Sequence, residues 1–251
     1  MQVVLALPAY NEERALPLVL AAFERQVLSA GLAASIVVVD DGSTDGTCRV
    51  AEEWSSRLPV RVVRHAANRG LGETIEDALR AAAATADPGD VIVSMDADNT
   101  HPPELIPAMV RLIAEGCDVV IASRYRRGSK VVGVSAFRQL MSYGARFLFQ
   151  VFLPTPGVRD FTCGFRAYRA GLLQQAFQRY RGRLVTERSF ACMLEILLRL
   201  REMGARMCEA PMILRYDLKV GASKMKVWPT VLTSLRLALR HRFSGAGARG
   251  R

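Results

Sequence analysis

Three short acidic segments stand out by where they fall. Asn11-Glu12, Asp40-Asp41 and Asp96-Ala97-Asp98 each follow a short apolar run: Val3 to Leu7, Ile36 to Val39, and Val91 to Met95. Continuous, largely β-branched runs of this kind read as strands buried on both faces. Each acidic segment therefore lies just beyond the C-terminal end of a strand. In an open parallel sheet, ligands bind in the crevice outside those ends, so three acidic loops on one edge converge on one pocket. Asp-x-Asp suits a hard divalent cation, because Mg²⁺ takes one or two carboxylates and completes its shell with phosphate oxygens and water. Asp96 and Asp98 are the candidate metal ligands. A lone Asp-x-Asp also occurs as a solvated turn, but its position after a buried strand favours the metal. Asp41-Gly42-Ser43 has an ordinary reading as a turn and helix cap. Asp40 is harder to dismiss, since it extends an apolar strand and leaves a charge at its mouth.

The elements that must carry these residues alternate along the first 125 residues. Val3 to Leu7 predicts a strand, and Asn11 caps a helix to about Ala30. Ile36 to Val39 predicts the next strand, and Ser43 caps a helix to about Arg57. Strand Val60 to Val63, helix Leu71 to Ala86, strand Val91 to Met95, a helix from Pro102 to about Glu115 and strand Val119 to Ala122 complete the series. Such alternation is the signature of βαβ units and a parallel sheet. After Arg127 the pattern changes. Residues 131–153 are rich in Phe, Leu and Met, with Arg138, Ser142, Arg146 and Gln150 at four-residue intervals. That spacing puts the polar groups on one stripe of a helix. It fits a core helix with one wet face or a helix lying in a membrane interface, and both readings stay open. Residues 187–203 and 228–243 predict further helices with a strand-like Met207 to Tyr216 between them. The tail from Ser244 reads as disordered. The expectation is one domain over residues 1–243, without repeats or linkers.

The chain has 251 residues, 50% hydrophobic and 23% charged, which excludes a disordered or fibrous protein. Lys and Arg number 34 against 24 for Asp and Glu, a net charge of +10. That excess points to a polyanionic partner: nucleic acid, an anionic membrane surface or phosphorylated substrates. Five cysteines, odd in number and without a CxxC pair, argue against a disulfide framework or zinc site and suggest a reducing cytosol. No signal peptide is expected, because the first nine residues already read as a strand. No apolar run approaches the ~18 residues a spanning helix requires; Arg138, Arg146, Arg236 and Arg240 interrupt the candidates. Asn68-Arg69-Gly70-Leu71-Gly72 has Ile75 where a dinucleotide fingerprint needs its third glycine, and no GxxxxGK[ST] occurs. Basic residues are scattered and no nucleic-acid recognition motif is present, so nucleic acid is not expected as a partner.

Taken together, several motifs resemble family 2 glycosyltransferases of the GT-A fold. They are Pro8-Ala9-Tyr10-Asn11-Glu12, Val39-Asp40-Asp41-Gly42-Ser43-Thr44-Asp45, Asn68-Arg69-Gly70-Leu71-Gly72, and Asp96-Ala97-Asp98 with His101-Pro102-Pro103-Glu104. Ala122-Ser123-Arg124-Tyr125, Asp160-Phe161-Thr162-Cys163-Gly164-Phe165-Arg166 and Gly221-Ala222-Ser223-Lys224 narrow the likeness to dolichol- or polyprenyl-phosphate mannose synthases. The resemblance spans about residues 2–226. It implies an α/β fold, a Rossmann-like, mostly parallel sheet with helices on both faces and further C-terminal helices. It also implies a nucleotide-sugar half over about residues 1–125 and an acceptor half over about 126–243.

The resemblance further implies roles for individual residues. Pro8, Tyr10, Asn11, Glu12, Asp40, Asp41 and Gly70 would hold the nucleotide sugar, GDP- or UDP-linked, together with Asp96, Ala97 and Asp98. Asp96 and Asp98 would meet Mg²⁺ or Mn²⁺ and the diphosphate. Arg124, Arg138, Arg166 and Lys224 would face phosphates of donor or acceptor, while Asp160 and Arg166 shape the acceptor side, unless that pair caps a helix. Asp98, Arg124, Asp160 and Glu187 are the residues expected to carry catalysis. The chain departs from the pattern at Thr100, where the family commonly has Gln, at Leu218, where it often has Arg, and in lacking a spanning segment. Other inverting members place a general base in a late Glu-Asp pair; here the comparable spot is Glu187-Arg188. An acceptor phosphate, with a second pKa of roughly 6, arrives ionised and needs no base, and an Arg would attract it. The expected activity is inverting transfer of a hexose, mannose or glucose, to a polyprenyl phosphate on the cytoplasmic face of a membrane, with the protein bound peripherally. Transfer to a soluble acceptor, with Glu187 as base, and a catalytically idle nucleotide-sugar-binding protein are the alternatives.

Overall fold

The structure, a computed structural model, describes residues 1–221, 233, 234 and 236–239. The β-branched runs form strands, as their χ1 stiffness favours: β1 (Gln2–Ala9), β2 (Ala33–Asp40), β3 (Val60–Arg64), β4 (Val91–Ser94) and β5 (Val119–Ser123). Helices α1 (Leu16–Ser29), α2 (Thr47–Glu53), α3 (Leu71–Thr85) and α4 (Ile106–Ala114) alternate with them. There follow β6 (Lys130–Val132), α5 (Ala136–Phe152), β7 (Arg166–Arg169), α6 (Ala170–Arg179), α7 (Cys192–Glu202), β8 (Met207–Pro211) and β9 (Ile213–Arg215).

Seven strands form one sheet in the order β3-β2-β1-β4-β7-β5-β8, and β6 pairs with β9 separately. Val3 to Leu7 of β1 are fully buried at its centre, as expected of a strand covered on both faces. On α1, Leu16, Val19, Leu20, Phe23 and Val27 are buried at helical spacing, each worth about 1.5–3 kcal/mol of apolar burial. All pairings in the main sheet are parallel except those of β7, which runs antiparallel to both β4 and β5. The reversal has a functional consequence. Arg166, the first residue of β7, pairs with Ser94 near the end of β4 and with Ile121 of β5. The residues leading into β7 therefore reach the same sheet edge as those leaving β1, β2, β4 and β5. Pro211, the last residue of β8, pairs with Ser123, so the chain after β8 arrives there as well.

The structure corrects several expectations. Neither Asn11 nor Ser43 caps a helix: α1 begins after Ala15 and α2 after Gly46, both without a side-chain cap. Asn11 instead adopts a left-handed φ of 50° and ties two loops together. The helix expected over 131–153 starts at Ala136, because β6 occupies its first residues, and the helix expected over 187–203 starts at Cys192. Met207 to Tyr216 is two strands, interrupted at Met212. β7 and α6 were not foreseen. Most of the helix expected over 228–243, and the tail from Ser244, lie outside the described residues.

The stripe on α5 is reversed relative to a core helix. Phe149 is its one buried residue, whereas Phe137, Leu140 and Phe147 are each about two-thirds exposed, at 67%, 68% and 66%. Arg138 and Arg146 turn inward, over the rings of Tyr216 and Tyr125, and Ser142 bonds the Tyr125 hydroxyl. The reading of a core helix with one wet face is therefore overturned. Polar groups face the protein and apolar groups face outward.

A second correction concerns the cysteines, for which no disulfide was expected. Cys117 and Cys208 are disulfide-bonded across 91 residues of sequence. Cys208 lies on β8 opposite Val120 of β5, so the neighbouring strands bring together two residues whose spacing carries no signal. A cross-link closing a loop of this length stabilises by about 2–4 kcal/mol. Reduction is expected to lower the denaturant midpoint accordingly, and Cys208→Ser should match the reduced protein and no longer respond to reductant. Equal midpoints with and without reductant would exclude the bond.

Candidate active site

The site begins with loops pinned to one another by their own backbones. Asn11 N donates to Ser43 Oγ at 2.9 Å, and Thr44 N donates to Asn11 Oδ1 at 2.8 Å. Glu12 N donates to Thr47 Oγ1 at 2.8 Å. The residues after β1 and β2 thus form one rigid lip. Gly42 makes that lip possible: its φ is +70°, and a Cβ there would lie 2.6 Å from the Ala67 backbone.

Asp41 holds the next loop. Its carboxylate accepts from Arg69 N at 2.8 Å and Gly70 N at 3.0 Å, and its Oδ1 lies 2.7 Å from His65 Nδ1. The other ring nitrogen of His65 faces Asp77 at 3.1 Å. Burial works against the charge on Asp41, but the Arg69, His65 and Gly70 donors outweigh it and hold the carboxyl below its ordinary range. Asp40, fully buried, accepts from Ser43 N at 3.0 Å. Its other oxygen has no hydrogen-bond partner, the nearest cation being Arg64 Nε at 3.6 Å.

These loops wall a cavity of about 580 Å³. Asp96 and Asp98 enter it from the end of β4 in different states. Asp98 Oδ1 accepts from Thr100 N and Oγ1 at 3.1 and 2.6 Å, and its Oδ2 is paired with the Lys219 ammonium. Against burial, His101, Lys219 and Thr100 keep Asp98 below the ordinary carboxylate range. Among the described residues, Asp96 has His101 Nε2 within ion-pair distance, at 3.9 Å. Burial pushes its carboxyl up, and Asp98 adds to the rise against the pull of His101 and Lys219. His101 Nδ1 accepts from Asp96 N at 3.1 Å, so a neutral ring carries its hydrogen on Nε2. It then faces Asp96 as a donor, not as a ligand. Among the described residues no group of three or more His, Cys, Asp or Glu could hold a metal. Two carboxylates still suit Mg²⁺ or Mn²⁺ when phosphate oxygens and water complete the shell, so the donor set fits a divalent ion shared with a diphosphate.

Arg124 reaches the cavity from the end of β5. Its Nε and Nη2 grip Asp160 at 2.8 and 2.7 Å, its backbone N donates to the same carboxylate at 3.0 Å, and Nη2 also donates to Thr162 at 2.7 Å. None of these bonds uses Nη1. Burial works to raise Asp160, but Arg124 pulls it below the ordinary carboxylate range. Asp160 is fully buried and sits behind the wall. It positions Arg124 and does not itself face the cavity.

Other expected site residues divide plainly. Pro8, Tyr10, Glu12, Gly70 and Ala97 line the cavity with Asp41, Asp96, Asp98 and Arg124. Asn11 and Asp40 stand behind the lip. Arg138 lies on α5, over the Tyr216 ring at 5.4 Å. Arg166 is a correction: it is fully buried and donates to the carbonyls of Met193 and Phe161 at 2.7 and 2.9 Å. It braces β7 against the start of α7 and cannot reach a phosphate. Glu187 is also off the wall. Its N is held by Glu195 at 2.9 Å, and its carbonyl passes so close to Gly72 that a Cβ there would lie 1.8 Å from it. Arg188, Ser189 and Phe190 line the cavity in its place. Lys224 lies outside the described residues. Lys219, which the sequence places beside Leu218 at an expected phosphate-binding position, lines the cavity; what the sequence does not reveal is its pairing with Asp98 across 121 positions.

Asp160→Asn removes the charge that balances Arg124, and breaking one partner of a buried pair costs on the order of 3 kcal/mol. The sign of the pH effect follows from the depressed Asp160 carboxyl. Its stabilisation is fully present above the ordinary carboxylate range and is lost as pH falls through the lowered value. Acid unfolding of Asp160→Asn should therefore show a shallower loss of stability below about pH 4 than the wild type. Parallel acid limbs would refute the assignment.

The sequence profile of Glycosyl transferase family 2 matches residues 5–177. A dolichol-phosphate mannosyltransferase of Pyrococcus furiosus is 37% identical over 175 residues, 69% of this chain and 48% of the relative. The chain thus spans about half the length of that relative. An undecaprenyl-phosphate mannosyltransferase of Micrococcus luteus is 30% identical over 253 residues, 99% of both chains. Glucosyl-3-phosphoglycerate synthase from Mycobacterium tuberculosis, solved with Mn²⁺ and uridine-diphosphate-glucose, superposes with a TM-score of 0.67. It is 20% identical and is matched over 96% of this chain and 78% of that one. With its mostly parallel sheet and helices the fold is GT-A, and the chain belongs to glycosyl transferase family 2 and is a glycosyltransferase.

Proposed function

We propose that this protein transfers a hexose, mannose or glucose, from a GDP- or UDP-linked donor to a polyprenyl phosphate with inversion, assisted by Mg²⁺ or Mn²⁺. The observation that carries the reading is a single cavity walled by Asp96 and Asp98 on one side and Arg124 on the other, beside an inside-out helix. The carboxylates suit the donor's diphosphate through a cation, and Arg124 suits a second phosphate.

Pro8, Tyr10 and Glu12 on the lip would receive the nucleoside. Asp40, fully buried behind them, would shape the lip by accepting from Ser43 N. Asp96 and Asp98 would hold the divalent ion, which would supply charge neutralisation to the departing diphosphate. The acceptor's phosphate oxygen forms the new bond to the anomeric carbon while the bond from that carbon to the diphosphate breaks, and the nucleoside diphosphate leaves. Arg124, held rigid by Asp160, orients the acceptor phosphate; the exposed Arg188 attracts it. An ionised phosphate monoester needs no general base, which suits a wall that presents Arg188 and Ser189 rather than Glu187. The same fact weighs against a soluble hydroxyl acceptor, which would need one.

No helix among the described residues is long and apolar enough to cross a membrane. The outward face of α5 instead fits a monotopic contact, with Phe137, Leu140 and Phe147 buried among acyl chains, on the cytoplasmic leaflet.

The test is purified protein with each candidate nucleotide sugar, Mg²⁺ or Mn²⁺ and a short polyprenyl phosphate, with products read by mass spectrometry. Glycolipid is expected with one donor. Transfer only to soluble hydroxyl acceptors would sink the lipid acceptor. Asp98→Ala should lose metal-dependent donor binding by calorimetry; unchanged affinity would remove its metal role. Replacing Phe137, Leu140 and Phe147 together by Ser should reduce co-sedimentation with anionic vesicles by more than about tenfold, since each buried side chain is worth about 1.5–3 kcal/mol. Unaltered sedimentation would place the membrane contact elsewhere.

A further inference from the structure

Lys219 is a lysine on the loop that also carries the candidate metal ligands' counter-surface. Its ammonium contacts Asp98 Oδ2, and the two side chains are only 12% and 13% exposed. The pairing is not an isolated surface contact. Arg215 N donates to Thr100 O at 3.1 Å, Asn99 Nδ2 to Leu218 O at 3.4 Å and Val220 N to Asp98 O at 3.4 Å. Residues 215–220 are thereby fastened along the Asp-x-Asp loop.

With Thr100 on Oδ1 and Lys219 on Oδ2, both oxygens of Asp98 are engaged. Asp96, by contrast, has among the described residues no cationic group closer than the His101 ring at 3.9 Å. The two carboxylates suited to one ion are therefore unequal: one is open and the other is locked by an internal cation. Lys219 also lines the cavity, so its ammonium has a second destination once a diphosphate is present.

Resting on the metal-assisted reading above, we propose that Lys219 is a positioning residue that couples metal binding to donor binding. It occupies Asp98 when the site holds no diphosphate and moves to a phosphate oxygen when one arrives, releasing Asp98 to the divalent ion. A divalent ion alone then meets a half-locked site and binds weakly, and the donor's diphosphate unlocks it.

The experiment is a titration of Mn²⁺ followed by the electron paramagnetic resonance of the free ion, with and without UDP or GDP. No turnover is involved. In the wild type the nucleoside diphosphate should tighten Mn²⁺ binding strongly. In Lys219→Met, Mn²⁺ alone should bind about tenfold more tightly, as expected for release from one charge-assisted hydrogen bond. The tightening by nucleotide should shrink by a similar factor. Lys219→Arg, which can keep the pair with Asp98, should retain the wild-type pattern. Lys219→Gln leaves a neutral donor to Asp98 and serves, with the same expected direction, if the methionine variant does not fold. If Lys219 acted only as a nearby positive charge, Lys219→Met would raise Mn²⁺ affinity equally with and without nucleotide, and that unchanged coupling overturns the proposal. Failure of the wild type to bind Mn²⁺ with either nucleotide would remove the metal reading and this inference with it. Wild-type binding with unaltered coupling in the variants removes the inference alone.

Discussion

Buried negative charge at one edge of the sheet is the constraint on which the rest of the site depends. Asp40, Asp41, Asp96, Asp98 and Asp160 all sit at or behind the ends of buried strands, where an unpaired carboxylate is expensive. Each is answered differently. Asp160 has a guanidinium, Asp41 has two backbone N–H groups and a histidine ring, and Asp98 has a lysine and a threonine. The answers build the architecture, because every partner that neutralises a carboxylate also ties down the loop it comes from. Arg124 is fixed by Asp160, the 68–70 loop by Asp41, and the chain after β9 by Asp98. Asp40 and Asp96 are the exceptions. One oxygen of Asp40 has no hydrogen-bond partner, and burial and Asp98 push the Asp96 carboxyl up.

A purely parallel sheet would not assemble this array. Parallel strands deliver residues to the crevice only as they leave the sheet. β7, antiparallel between β4 and β5, delivers them as the chain enters. Asp160 and Thr162 therefore bond Arg124, and Gly164 comes close to Asp96, although all three precede a strand. The buried Arg166 secures the arrangement by donating to the carbonyls of Phe161 and Met193, joining the entry to β7 with the start of α7. Its value is architectural, which explains how a motif residue can be fully buried.

The parts legible in the sequence are those whose signal is local. Apolar β-branched runs marked β1 to β5, and the acidic residues after three of them marked the cavity. Asp96 and Asp98 needed no partner information to be noticed. What escaped detection depends on pairing over long separations. Lys219 reaches Asp98 across 121 residues and Cys117 reaches Cys208 across 91; neither spacing has a periodic trace. β7 is four residues long and includes two arginines, so it lacks the apolar pattern of a central strand. Asn11 and Ser43 have the composition of helix caps, but they bond each other's loops because β1 and β2 are neighbours. Short polar side chains satisfy whichever orphan group the tertiary structure puts within reach.

The helix α5 shows why periodicity alone could not choose between two readings. An apolar stripe opposite a polar one has the same moment whether its apolar side faces a core or a bilayer. The decision comes from what waits for the polar side. Tyr125 and Tyr216 present rings under Arg146 and Arg138 at 5.0 and 5.4 Å, and Tyr125 offers its hydroxyl to Ser142. These partners turn the polar stripe inward, next to Arg124. The apolar residues then have nowhere to go but out. The same stacking sets Arg138 and Arg146 beside Tyr216 and Tyr125, the residue that follows Arg124, while the carboxylates of Glu12, Asp41, Asp96 and Asp98 enter the cavity from the ends of β1, β2 and β4.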